Sequence, residues 1–192
     1  MLPSWRGKMT PEDFKKLWEA DGDQLIPVSA EEVASIEIPA SAKVFLELAG
    51  LPEEAAPYLS FDPNSRGQPT DPIRLAMKRP DVLVVGSNAV GDPVAIRADG
   101  ALVYLDHDAN FAEFYINKDV ETFAETSLRM RNLIAAAQRV GGPDAYLDGL
   151  VPAVLRDEFR AFLAANDPVA LEPEALWFNE IASWAVGGAN HP

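Results

Sequence analysis

The sequence predicts an α+β fold: a meander of antiparallel strands closed by a helix lying on the sheet, with further helices before and after it. Three observations carry this expectation. An Asp-Gly pair, Asp99-Gly100, separates two apolar segments, Val94–Arg97 and Ala101–Leu105, which is a strong hairpin signal because glycine accepts the positive φ of the turn. After Asn117-Lys118 the apolar period changes from two to that of a helix. The segments flanking this block carry helical spacing with start and stop residues in the right places.

Taken in order, Thr10-Pro11-Glu12-Asp13 reads as a helix start, with threonine as cap, proline in the first turn and acids at the positive end of the dipole. Phe14, Leu17 and Trp18 give that helix an apolar face. A second helix runs from Pro39 through Val44, Phe45 and Leu48 until Gly50-Leu51-Pro52 breaks it, and Pro57–Phe61 is a short extended piece. Residues 62–72, with three prolines and a glycine, are expected to form an exposed, mobile loop. Val82-Leu83-Val84-Val85-Gly86 is written as a buried strand with a turn after it. Val94–Arg97 and Ala101–Leu105 follow as the hairpin. A polar loop, Asp106–Asn110, then leads to a strand in which Ala112, Phe114 and Ile116 share one face, leaving the other partly wet.

The long helix begins at Asn117 or Asp119, either of which can cap it. Val120, Phe123, Ala124, Met130, Ile134 and Ala137 form its stripe, with Ser127 filling a gap, while Glu121, Glu125, Arg129 and Arg139 fall largely elsewhere. Gly141-Gly142-Pro143 stops it. Val154, Leu155, Phe159, Phe162 and Leu163 mark a helix over about 152–165, and Trp177, Ile181 and Trp184 mark another over 174–185. Trp177 and Trp184 lie two helical turns apart and are expected in the core with Trp18, whereas Trp5 is the tryptophan expected to be exposed. Residues 10–186 thus form one domain, with a flexible segment 1–9 and a tail 187–192.

Composition narrows the function. The 192 residues are 48% apolar with a mean hydropathy near zero, as in soluble globular domains. No apolar run reaches the roughly twenty residues that span a bilayer, and Met1–Lys8 lacks the apolar stretch of a signal peptide, so no membrane partner is expected. The absence of cysteine excludes disulfides, thiolate metal sites and a cysteine nucleophile, and fits a cytoplasmic protein. Net charge is −14, spread along the chain: residues 1–100 hold 16 acids and 10 bases, the remainder 14 and 6. Without a basic stripe, direct nucleic-acid binding is not expected. An acidic surface either keeps the chain soluble or steers a basic protein into contact.

Apparent catalytic motifs fail on inspection. Gly86–Gly91 has the glycine spacing of a phosphate loop, but Asp92-Pro93 stands where lysine and a hydroxyl residue are needed, and an acid there repels phosphate. Asp106, Asp108 and Asn110 match the opening of a calcium loop, yet Phe111 replaces the turn glycine and Asn117 the bidentate glutamate. That excludes an EF-hand, leaving a solvated turn or a weak, irregular cation site. His107 and His191 are the only histidines, so a multi-histidine metal centre cannot be built. A triad would have to use His107, and no serine has a nucleophile-elbow context. No cofactor, resident metal or catalytic residue is therefore expected.

One resemblance emerges from the residues that build the scaffold. The series Leu48-x-Gly50-Leu51-Pro52, Leu59-Ser60-Phe61, Leu83–Gly86, Gly91–Ile96, Asp99–Leu105, and Asn117 ahead of Phe123 and Leu128, resembles the SUKH superfamily. Within it, the chain is most similar to the fourth group of bacterial SUKH immunity proteins, relatives of the fungal Smi/Knr cell-wall regulators. The likeness covers roughly Phe14 to Trp184. Where such proteins often read Asn-Ser-Ser before the long helix, this chain has Asn117-Lys118-Asp119, which keeps a capping residue.

The resemblance implies an α+β fold with helices around a mixed, largely antiparallel sheet, and a non-enzymatic role in which the protein binds and neutralises a cognate toxin, commonly a nuclease. A basic nuclease fits an acidic inhibitor, which gains association rate and can occlude a substrate cleft without chemistry. Asp106, His107, Asp108 and Glu113 are the candidate partner-binding residues, on a monomer or weak homodimer. Two alternatives remain open at this level: an intracellular regulatory or scaffold module of the same fold, and a small-molecule binder or hydrolase using the Asp106-His107-Asp108 loop.

Overall fold

The structure, a computed structural model, describes residues 8–34, 36–67 and 72–186. The expectations for residues 1–7, including Trp5, for 68–71 in the centre of the proline-rich loop, and for the tail 187–192 lie outside the described residues. In chain order the helices are α1 (Pro11–Trp18), α2 (Ala30–Ala34), α3 (Ala40–Leu48), α4 (Pro72–Met77), α5 (Val120–Gly141), α6 (Ala153–Asn166) and α7 (Leu176–Val186). The strands are β1 (Leu25–Ile26), β2 (Leu51–Pro52), β3 (Glu54–Ala55), β4 (Leu59–Ser60), β5 (Val82–Asn88), β6 (Pro93–Arg97), β7 (Leu102–Asp106) and β8 (Ala112–Asn117).

The α+β architecture expected from the sequence is present. β3 to β8 form one six-stranded sheet in sequence order, β1 and β2 form a separate pair, and every described pairing is antiparallel. The Asp99-Gly100 turn joins β6 to β7, with Gly100 at φ 93° and Ala95 opposite Val103. In contrast to the expected strand end at Gly86, β5 continues through this residue to Asn88, and Gly86 lies at a bulge in the β5–β6 ladder. A Cβ built on Gly86 would stand 2.2 Å from the Ser60 carbonyl oxygen, so the glycine permits β4 to press against β5.

Both faces of the sheet are covered at its centre, which the one-sided alternation of the last strand does not anticipate. Leu83, Val85, Val94, Ile96, Leu102 and Ile116 join the main core, which runs from Met9 to Trp184. On the other face, Val82, Val84, Ala95, Val103 and Leu105 pack with Met77 of α4, and Phe111 closes that cluster. Phe111 adopts φ 59° in the position where a calcium loop would use glycine, so an aromatic serves both the turn and the second core.

The helices follow their stripes, with differences in burial. Of the two residues able to cap α5, Asp119 does so, accepting from the Thr122 amide at 2.7 Å. α5 is also buried well beyond its stripe: Glu121, Thr122 and Thr126 are buried, because α1, α3, α6 and β8 all pack against it. In α3 the buried residues are Ala42, Phe45 and Leu46, while Val44 and Leu48 face solvent. Trp18, Trp177, Ile181 and Trp184 are in the core as expected.

A buried polar hub fastens β8 to the C-terminal helices. Asp167, following α6, accepts from Tyr115 Oη at 2.8 Å, Asn117 Nδ2 at 3.0 Å and the Lys118 amide at 2.9 Å. Asn117 Oδ1 in turn accepts from Trp177 Nε1 at 2.9 Å. Each group is paired, as buried polar groups must be. Asn117 thus serves as a junction between the sheet and α7.

Candidate functional site

The loop between β7 and β8 begins as a consequence of strand geometry: β7 delivers Asp106 to the end of the sheet, where its carboxylate folds the next residues into a turn. Asp106 Oδ1 accepts from the Asp108 and Ala109 amides, both at 2.9 Å. Asn110 and Phe111, both at positive φ, bring the chain back to β8. Asp108 is left at the crest with its side chain 92% exposed.

His107 points sideways to the neighbouring β5–β6 turn. Its amide donates to Asp92 Oδ1 at 3.0 Å, and its Nδ1 lies 2.6 Å from the same oxygen. Asp92 is buried, and Asn88 grips it from the other side: Asn88 Nδ2 donates to Asp92 Oδ2 at 2.8 Å, while Asn88 Oδ1 accepts from the Asp92 and Val90 amides. The hydrogen bond to Asp92 raises the His107 pKa above 6.5, with burial opposing it. Burial pushes the Asp92 carboxyl up, but bonds from the His107 amide, Asn88 and the His107 ring prevail and hold it below 3.8. The pair ties two loops together. Sequence reading treats Asp92 only as the residue that spoils a phosphate loop and misses its partner fifteen positions later.

Glu113 sits apart from this turn, on β8. Its two oxygens accept from Arg79 Nη2 at 2.8 Å and Arg97 Nη1 at 3.0 Å. Arg79 also makes a two-pronged contact with Asp81, and Arg97 binds Asp99. Burial raises the Glu113 pKa, yet the two guanidinium groups bring it below 4.5 overall. Of the four candidate residues, three therefore share one exposed loop. The fourth belongs to an ion-pair lattice on the strand beside it.

This arrangement offers fixed carboxylates on an outer turn. The cavities beside Arg66 and Arg74, beside Tyr58 and Tyr146, and beside Arg156 and Phe178 are walled by other residues, so His107 does not point into any of these. Among the described residues, no three His, Cys, Asp or Glu side chains gather into a metal-holding group. Nor is any described helix long and apolar enough to cross a membrane.

Fold and surface together define an α+β domain that presents charged loops from one end of an antiparallel sheet. The family model for SUKH-4 immunity proteins matches residues 11–182, and the chain belongs to that family. No curated protein and no solved structure matches it. Membership assigns the protein an immunity function, which implies a toxin as its partner.

Proposed function

We propose that this protein protects its host by binding a cognate toxin in the cytoplasm and blocking it through protein–protein contact, without chemistry of its own. The family match across residues 11–182 is the observation that carries the reading. A net charge of −14 favours a basic toxin, and a nuclease is the class whose need to hold phosphate makes it basic. The working unit is the domain 10–186, supported by the core that spans Met9 to Trp184.

The loop bearing Asp106, His107 and Asp108, with Glu113 beside it, is proposed as part of the docking face. Its rigidity supports this role, because a turn already held by Asp92 and by its own carboxylate loses little freedom on binding. Co-expression with the product of each adjacent reading frame tests the function. The expected outcome is rescue of growth and co-purification with one of them; absence of both for every neighbour would overturn the reading.

A further inference from the structure

The end of the sheet that carries the His107 loop also carries a groove of a different character. Leu59 of β4 lies opposite Asn88, Asn88 holds Asp92, and Asp92 holds His107, so the β3–β4 hairpin tip and the His107 loop share one end of the sheet. Val90, 70% exposed, lies on the turn between them. At the hairpin tip Tyr58 adopts φ 57°, a conformation that aromatic residues rarely take, and it is 64% exposed. It walls a cavity of about 410 Å³ together with Tyr146, Leu147 and Asp148 of the α5–α6 connection and Glu180 of α7.

The groove has the chemistry of a cation pocket. Glu180 Oε1 accepts from Tyr146 Oη at 2.7 Å and Trp184 Nε1 at 2.9 Å, which fixes the carboxylate. Its second oxygen has no hydrogen-bond partner among the described residues. Burial and the neighbouring Glu180 charge raise the Tyr146 pKa, so its phenol remains a donor to Glu180. Asp148 adds a second carboxylate, and among the described residues no lysine or arginine lines the cavity. Tyr58 and Leu147, the latter 68% exposed, supply apolar surface at the rim.

We propose that this groove receives an arginine side chain from a basic segment of the partner protein. The guanidinium would stack on Tyr58 while pairing with Glu180 and Asp148, a combination of aromatic face and carboxylates that suits arginine better than lysine. The cavity lies within the roughly 300–1,000 Å³ of ordinary ligand pockets. This inference rests on the toxin-binding reading and deepens it, extending the docking face from Asp108 across Val90 to Leu147.

Two arms test it separately. In the first, backbone amide shifts are followed while a capped Gly-Arg-Gly peptide is added, with lysine and citrulline peptides as counterparts. Saturable shifts are expected at Tyr58, Tyr146–Gly149 and Glu180 with arginine, strongly reduced in the Asp148→Asn/Glu180→Gln variant and absent with citrulline. Shifts confined elsewhere, or unaffected by that variant, would overturn the groove; equal saturation by lysine would overturn the arginine assignment. In the second arm, the toxin captured by co-expression is titrated against Tyr58→Asn/Leu147→Ser, chosen because asparagine tolerates positive φ. Affinity is expected to fall about tenfold with an unchanged melting temperature, and unchanged affinity would overturn the groove. Failure of the wild-type chain to capture or rescue from any neighbour would count against immunity, while the peptide arm still decides the groove.

Discussion

Asp167 is the polar side chain whose removal breaks the buried hub. It accepts three hydrogen bonds while only 1% exposed, so Asp167→Ala leaves Tyr115, Asn117 and the Lys118 amide without their acceptor. A loss of about 3 kcal/mol in urea unfolding is expected, as for other broken buried networks. The Asp92–His107 pair acts at the surface and is read better by titration than by stability. Because the folded His107 pKa is raised, the contribution of the protonated ring is fully present below the ordinary imidazole value and is lost as pH rises through the folded one. Asp92 is depressed, so its contribution is present above the ordinary carboxylate value and disappears as pH falls through the folded one. The pair is therefore most effective between these two folded-state titrations. Imidazole NMR should place His107 above 6.5 and move it back toward that value in Asp92→Asn.

At the scale of elements, two glycines of the motif Gly86–Gly91 separate steric from conformational demand. Gly91→Ala meets open space and only the strain of φ 89°, which costs about 1 kcal/mol. Gly86→Ala would force the Ser60 backbone away from β5, and about 3 kcal/mol is expected; equal losses in parallel denaturation curves would contradict the packing described. This block was legible in sequence because its signals are local. The β-branched runs, the Asp99-Gly100 turn and the α5 stripe each depend on neighbours within a few residues. The β1–β2 pair was not legible, since Leu51-Pro52 looks like a helix breaker until Leu25 and Ile26 lie beside it. Neither was α4, which starts at the last proline of an apparent loop and has its purpose in the second core. The site was half legible: the acidic loop is evident from Asp106 and Asp108, but Asp92 beneath His107 and the arginines on Glu113 come from other strands. The Tyr58 groove needs three distant segments and has no sequence signature.

For the whole molecule, the charge of −14 predicts that association with a basic partner is governed by long-range attraction. The structure identifies which reversal disturbs the loop least, since Asp108 meets His107 Nε2 only at 3.6 Å. Asp106 supports its turn and Glu113 anchors two arginines, so changing either alters shape as well as charge. Asp108 is almost fully exposed, and Asp108→Lys should slow association with a basic toxin about two- to threefold at low salt, mainly through the on-rate. Stopped-flow measurements should show that difference vanish at about 1 M salt, where screening reaches only about 3 Å. An unchanged rate at low salt would remove the loop from the docking face.

The bond from Trp177 to Asn117 also sets a schedule. Its donor is synthesised sixty residues after its acceptor. At about 5–20 residues per second, β8 waits about 3–12 s for the helix that completes it. During that interval Asn117 Oδ1 lacks its indole donor and the junction between the sheet and α7 is incomplete. Protection against a toxin is thus delayed by translation itself, and a cell that relies on this fold must make it before the threat arrives.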